Sequence, residues 1–80
     1  MERLTEARQR AVGTKQVTRA VEKGLALEVY VARDAEPHVT RHLLALCRQQ
    51  GVAVIEVDTM RALGRACGVE VGAASAAILK

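Results

Sequence analysis

Lys15, Arg19 and Lys23 recur at four-residue intervals behind Gly13, with Gln16 beside the first of them, and no acidic residue answers the row before Glu22. Residues four apart share one face of a helix, so "GTKQVTRAVEKG" places these cations in a single line. The glycine adds to this. A helix that starts directly behind a Gly turn presents unpaired backbone N–H groups, and hydrogen bonding and the helix dipole both favour a phosphate there. Lys15 and Arg19 lie one turn apart and can reach the same ligand. Gln16 donates and accepts, and an arginine can grip O6 and N7 of a guanine. Phosphate binding and base-edge reading are therefore within the chemistry of residues 13–19. The same stretch also describes a basic face turned to solvent, and taken alone it favours that plainer reading.

The other reactive groupings carry less. His38 and His42 stand four apart, a spacing at which one helix offers two metal ligands, but no third ligand accompanies them because both thiols project with the apolar residues. Two partly exposed histidines and no metal site are expected. Glu28 and Glu56 fall in predicted strands and could neighbour each other across a sheet as a carboxylate pair. No nucleophile, base or orienting group converges with them. "GTKQVT" lacks the spacing of a phosphate-binding P-loop. These observations predict neither an enzyme nor a cofactor.

Composition agrees with a binding role. Half of the 80 residues are hydrophobic and 26% are charged, a globular balance. Tyr30 is the single aromatic residue, so the core must be aliphatic and closely packed. The net charge of +3 is unevenly placed: residues 1–24 hold Arg3, Arg8, Arg10, Lys15, Arg19 and Lys23 against Glu2, Glu6 and Glu22, and the remainder is balanced. Such asymmetry is what a localised anion-binding surface looks like, and charge alone does not displace the plainer reading of unevenly scattered surface charges. Cys47 and Cys67 sit among apolar residues without a CxxC pairing and are expected to be buried and reduced. No apolar leader and no run near the ~20 residues of a membrane span occur, so a reducing cytoplasm is expected.

The elements that must position the basic row follow from periodicity. Residues 2–7 predict a short helix, and "RQRAV" a short strand into the Gly13 turn. Val17, Ala20 and Val21 define the buried face of a helix from about Thr14 to Lys23, closed by Gly24. "LEVYVA", residues 27–32, alternates as a strand. Asp34 or Ala35 is expected to cap the next helix, with Pro37 in its first turn and Val39, Leu43, Leu46 and Cys47 as its buried stripe to about Gln50. "VAVIEV", residues 52–57, is a strand after Gly51. Thr59 is expected to cap a helix carrying Met60, Leu63 and Cys67 and ended by Gly68. "SAAIL" closes the chain as a buried strand after the "VEVGA" loop. Alternating elements predict one domain over residues 1–80, an α/β/α sandwich of three layers around a small, mixed, four-stranded sheet.

"GTKQVTRAVEKG", "VYVARDAEP" and "LGRACGVEVGAA" resemble, in order and spacing, the kink-turn RNA-binding ribosomal protein family, which includes archaeal and eukaryotic ribosomal proteins and small bacterial relatives of the YbxF type. The resemblance runs from about residue 8 to residue 79. It implies a protein that binds sharply bent RNA at tandem sheared G·A pairs. The Gly-initiated helix would enter the groove at the kink through Gly13, Thr14, Lys15, Gln16 and Arg19. An apolar loop of Val69, Glu70, Val71 and Gly72 would cradle a flipped-out base. Archaeal members usually carry Asn-Glu where this chain has Lys15-Gln16, and the bacterial branch commonly carries Lys-Gln. The partner implied is structured RNA containing a kink-turn, in the ribosome or a riboswitch, bound by a monomer. The near absence of aromatic rings argues against base stacking on a sheet surface. Three rivals stay open here: a ribosome-associated accessory protein reading another RNA motif, a protein-interaction module of the same fold, and a detached substrate-binding domain like those preceding some RNA methyltransferases.

Overall fold

The computed structural model describes all 80 residues. The chain runs α1 (Glu2–Glu6), β1 (Arg10–Val12), α2 (Thr14–Glu22), β2 (Ala26–Ala32), α3 (Pro37–Gln50), β3 (Ala53–Val57), α4 (Met60–Ala66) and β4 (Ser75–Leu79). Every expected element is present, with ends shifted by a residue or two. The four strands form one sheet in the order β1-β4-β2-β3. β2 and β3 are parallel, joined through α3, whereas β4 is antiparallel to both its neighbours, β1 and β2. The sheet is therefore mixed, and the last strand of the chain lies inside it.

Strand alternation sorts the core into two layers. Val29 and Val31 of β2 and Ala77 of β4 point to one face, where Val17 and Val21 of α2 and Leu43 and Cys47 of α3 cover them. Tyr30, Ala32 and Ala76 point to the other, beneath Leu4 of α1, Leu63 of α4 and Cys67 at the end of α4. Buried on both sides, β4 is apolar apart from Ser75 and rich in alanine, whose small side chain lets a helix approach closely. No helix is long and apolar enough to cross a membrane.

Three local expectations are corrected. Val39 is exposed, and the buried stripe of α3 runs through Thr40, Leu43 and Cys47. Neither Asp34 nor Ala35 caps α3: Glu36 occupies the cap position without a side-chain bond. Asp34 instead accepts the backbone N–H of Met60 at 2.8 Å, serving the start of α4. There Thr59 caps as expected, its hydroxyl accepting from the Ala62 N–H at 3.0 Å. Glu28 and Glu56 are not neighbours. Glu28 pairs in register with Ala53 and Glu56 with Val31, so the two carboxylates leave opposite faces of the sheet. Glu28 is engaged by Arg3 at 3.1 Å, which ties α1 to the sheet.

Cys47 and Cys67 are both free and buried, one in each layer, with the sheet between them. They cannot form a disulfide with each other. Burial pushes both thiols up from their ordinary pKa, with Arg10 opposing this in part at Cys67. Native protein at neutral pH should therefore resist a thiol reagent that labels the denatured chain at once. Rapid labelling of both under native conditions would contradict this packing. The linkage sign follows. A raised folded-state pKa means the unfolded chain loses its thiol protons first, so this contribution is complete below the ordinary thiol pKa and is lost as pH rises through the folded value.

Candidate nucleic-acid interface

Gly13 sits between β1 and α2 with φ +96° and ψ 143°, a backbone conformation that an L side chain rarely adopts. The turn is sharp because β1 ends beside β4 and α2 must immediately fold back over the sheet. The first bonded amide of α2 is that of Val17, which donates to the Gly13 carbonyl at 3.0 Å. No side chain caps the helix. The N–H groups of its first turn, at Thr14, Lys15 and Gln16, are thus open to a ligand.

Val17, Ala20 and Val21 bury the inner face of α2, and this turns Lys15, Gln16, Arg19 and Lys23 outward, where all four are exposed. None of the three cations in the row has an ion-pair partner. Gln16, Arg19 and Lys23 line one shallow groove with Arg10, Leu25 and Leu79, and Lys15 stands outside it at the helix start. The basic excess of residues 1–24 is smaller in space than in sequence. Arg3 is taken by Glu28, and Arg10 donates to the carbonyls of Leu4 and Ala66, pinning α1 against the end of α4. Of the six cations in residues 1–24, Lys15, Arg19 and Lys23 along α2 and its C-cap, together with Arg8, are left without a side-chain partner.

The second predicted half of the site, Val69–Gly72, is an exposed loop between α4 and β4. Val71 is its most prominent side chain, 74% exposed, with Val69 at 36%. The loop is nonetheless held firmly. The Val69 N–H donates to the Gly64 carbonyl and the Ala73 N–H to the Met60 carbonyl, both at 3.0 Å. Gly64, in the interior of α4, lets the Val71 carbonyl rest directly on the helix: a Cβ there would overlap that oxygen and come within 3.1 Å of the Val71 carbonyl carbon. Gly72 packs in the same manner on Met60, where a Cβ would meet the Met60 side chain at 3.1 Å.

Ser75 brings the two halves together. Its carbonyl accepts the Gly13 N–H at 2.9 Å, and its hydroxyl shares a 2.8 Å hydrogen bond with that of Thr14. Only two residues separate it from Gly72. The Gly-initiated helix and the apolar loop therefore share one end of the sheet. The backbone N–H of Ala32 donates to the Ala74 carbonyl at 2.9 Å, which places Arg33 at the same end. Arg33 makes only long, exposed contacts with Glu56 and Asp58, at 3.8 and 4.0 Å, and such pairs hold a side chain weakly.

Sequence reasoning missed Ser75, Gly64 and Asp34. Two of these carried a signal. A glycine inside a predicted helix costs about 0.5–1 kcal/mol relative to alanine and so marks a close approach. A lone serine within "GAASAAIL" has no packing advantage over the alanines beside it. His38 and His42 are exposed, and Nδ1 of His38 lies 3.2 Å from the Glu36 carboxylate.

The model of the Ribosomal protein L7Ae/L30e/S12e/Gadd45 family matches residues 1–80, the whole chain. The protein belongs to this family. Among its relatives is an RNA-binding protein of Geobacillus sp. (strain WCH70), 43% identical over 79 residues that cover 99% of this chain and 96% of the relative. The RNA-binding protein YbxF of Geobacillus stearothermophilus is 42% identical over the same extent. Of solved structures, the Giardia lamblia 15.5kD RNA binding protein superposes with a TM-score of 0.88 at 31% identity, covering 99% of this chain and 67% of that one. Membership of the L7Ae/L30e/S12e/Gadd45 family and this superposition agree with the three-layer architecture around a mixed sheet.

Proposed function

We propose that this chain is a non-enzymatic RNA-binding protein that recognises kink-turns, the sharp bends built on tandem sheared G·A pairs. It acts as a single domain and a monomer in the cytoplasm, on ribosomal or riboswitch RNA. The observation that carries the reading is the shared end of the sheet. An uncapped helix N-terminus with Lys15, Gln16 and Arg19 on it is bonded through Ser75 to a rigid loop that displays Val69 and Val71. The names of the Geobacillus relatives and of the Giardia protein support RNA as the ligand.

In this reading Gly13 and Thr14 bring the backbone close to the kink. Arg19 and Gln16 take guanine edges left accessible by sheared pairing, Lys15 meets phosphate, and Val69–Gly72 shelters an unstacked base. A gel shift with a kink-turn duplex, beside a control whose G·A pairs are replaced by Watson–Crick pairs, tests it. The kink-turn should shift at concentrations that leave the control free. Equal affinity for the two would sink the assignment.

Single variants refine the roles. Arg19 is exposed, so Arg19→Ala should alter stability by no more than about 0.5 kcal/mol. Loss of one good base contact should weaken kink-turn binding by about 1–3 kcal/mol. Lys15→Ala should also bind less tightly and should lower the slope of log affinity against log salt by roughly one ion, as a phosphate contact does. An unchanged salt slope would move Lys15 from phosphate to a base edge.

A further inference from the structure

We propose that Ser75 is a positioning residue for RNA recognition: its buried hydroxyl sets the start of α2 and the Val69–Gly72 loop in the one relative placement that a kink-turn fits. The proposal rests on the kink-turn reading and deepens it. Ser75 itself is 0% exposed, so it acts through the groups it holds and not by contact with RNA.

The chemistry around it leaves little other use for an oxygen. Ser75 lies among Ala73, Ala74, Ala76 and Ala77 in a strand covered on both faces. Alanine would fill nearly the same volume there without a polar atom to satisfy, whereas a buried hydroxyl is unfavourable unless it is paired. It is paired with Thr14 at 2.8 Å, across 61 positions of sequence. Together with the Gly13 N–H on the Ser75 carbonyl at 2.9 Å, this makes a two-point clasp between the first residue of β4 and the turn that opens α2. The clasp constrains two things at once. It fixes the rotation of the Gly13–Thr14 unit, and with it the direction of the open amides and of Lys15. It also fixes where the loop ends, three residues beyond Gly72. A single backbone bond would leave the Gly13 turn free to pivot; the second point removes that freedom. Binding energy then need not be spent on ordering the site.

The test uses the intact protein and two variants. Ser75→Ala removes the hydroxyl, and Ser75→Cys keeps the volume while offering only a weak hydrogen-bonding group. Affinity for a kink-turn duplex and for its G·A-disrupted control is measured at a temperature where circular dichroism shows all three proteins fully folded. Both variants should lose roughly fivefold in kink-turn affinity, the worth of one net hydrogen bond, with binding to the control unchanged. A packing role alone would spare Ser75→Cys and would leave discrimination between the RNAs untouched. Amide exchange without RNA is the second measurement: exchange at Gly13 should quicken by a similar factor of about five relative to core amides such as Val29. Parent-like discrimination in both variants overturns the proposal, as does parent-like exchange at Gly13. If the parent protein fails to discriminate the two RNAs, the kink-turn reading falls, and the exchange measurement alone decides whether the clasp exists.

Discussion

Val71→Asp should fold as the parent does and lose kink-turn binding by about two orders of magnitude or more, the equivalent of several kcal/mol. The two effects separate because Val71 is 74% exposed on a loop whose backbone contacts do not involve its side chain. Surface substitutions of this kind change stability by no more than about 0.5 kcal/mol. In the proposed complex the same position would face an unstacked base and the phosphates flanking it. A carboxylate there loses the apolar contact, must be desolvated, and lies against like charge. Val71→Thr is the companion variant: it preserves shape and neutrality and should lose far less. Thermal melting and titration of a fluorescent kink-turn on the three proteins supply both quantities. If Val71→Asp binds as tightly as the parent, the loop lies outside the interface and the site contracts to α2.

Gly64→Ala should be the most damaging single methyl in the molecule. Two effects oppose each other. Alanine favours a helix interior over glycine by about 1 kcal/mol, which would stabilise α4. Against this, the new Cβ would overlap the Val71 carbonyl oxygen and press on the Gly72 Cα at 3.2 Å. These are backbone atoms, and they cannot swing aside. Their positions are set by the hydrogen bonds from Val69 to Gly64 and from Ala73 to Met60. Overpacking wins, at a net cost of about 2 kcal/mol, or a fall of roughly 10 °C in melting temperature for a domain of this size. Whatever relief the loop finds moves Val71, so RNA affinity should drop as well, even well below the melting point. Arg65→Ala, an exposed change on the same helix, should do little to either property. A Gly64→Ala protein as stable as the parent would mean that the loop does not rest on α4.

Legibility differed sharply between neighbouring features. The helix from Thr14 was readable because Val17, Ala20 and Val21 recur at the helical period, so the outward direction of Lys15, Gln16 and Arg19 followed from theirs. Thr59 was readable as a cap because a cap is satisfied within three residues. Asp34 misled for a related reason: it stands where a cap for α3 would stand, yet its carboxylate reaches an amide 26 residues away. Arg3 and Arg10 were counted toward a basic surface, and each is drawn into the fold by an acceptor on another element.

The sequence by itself determined the order of the eight elements, the burial of the last strand and the row of cations along α2. All of these are written in periods of two or four residues and in turn-forming glycines, which act over a few bonds. Tertiary structure alone decided that β4, the last strand, inserts between β1 and β2. From that one placement come the bonds of Ser75 to Gly13 and Thr14, and the meeting of the loop with the helix start. It also decided that Glu28 and Glu56 leave opposite faces of the sheet, because parity and register are shared between strands and belong to neither one. Strand order is chosen by which buried faces can be covered together, a property of the whole chain. No short window of residues contains it.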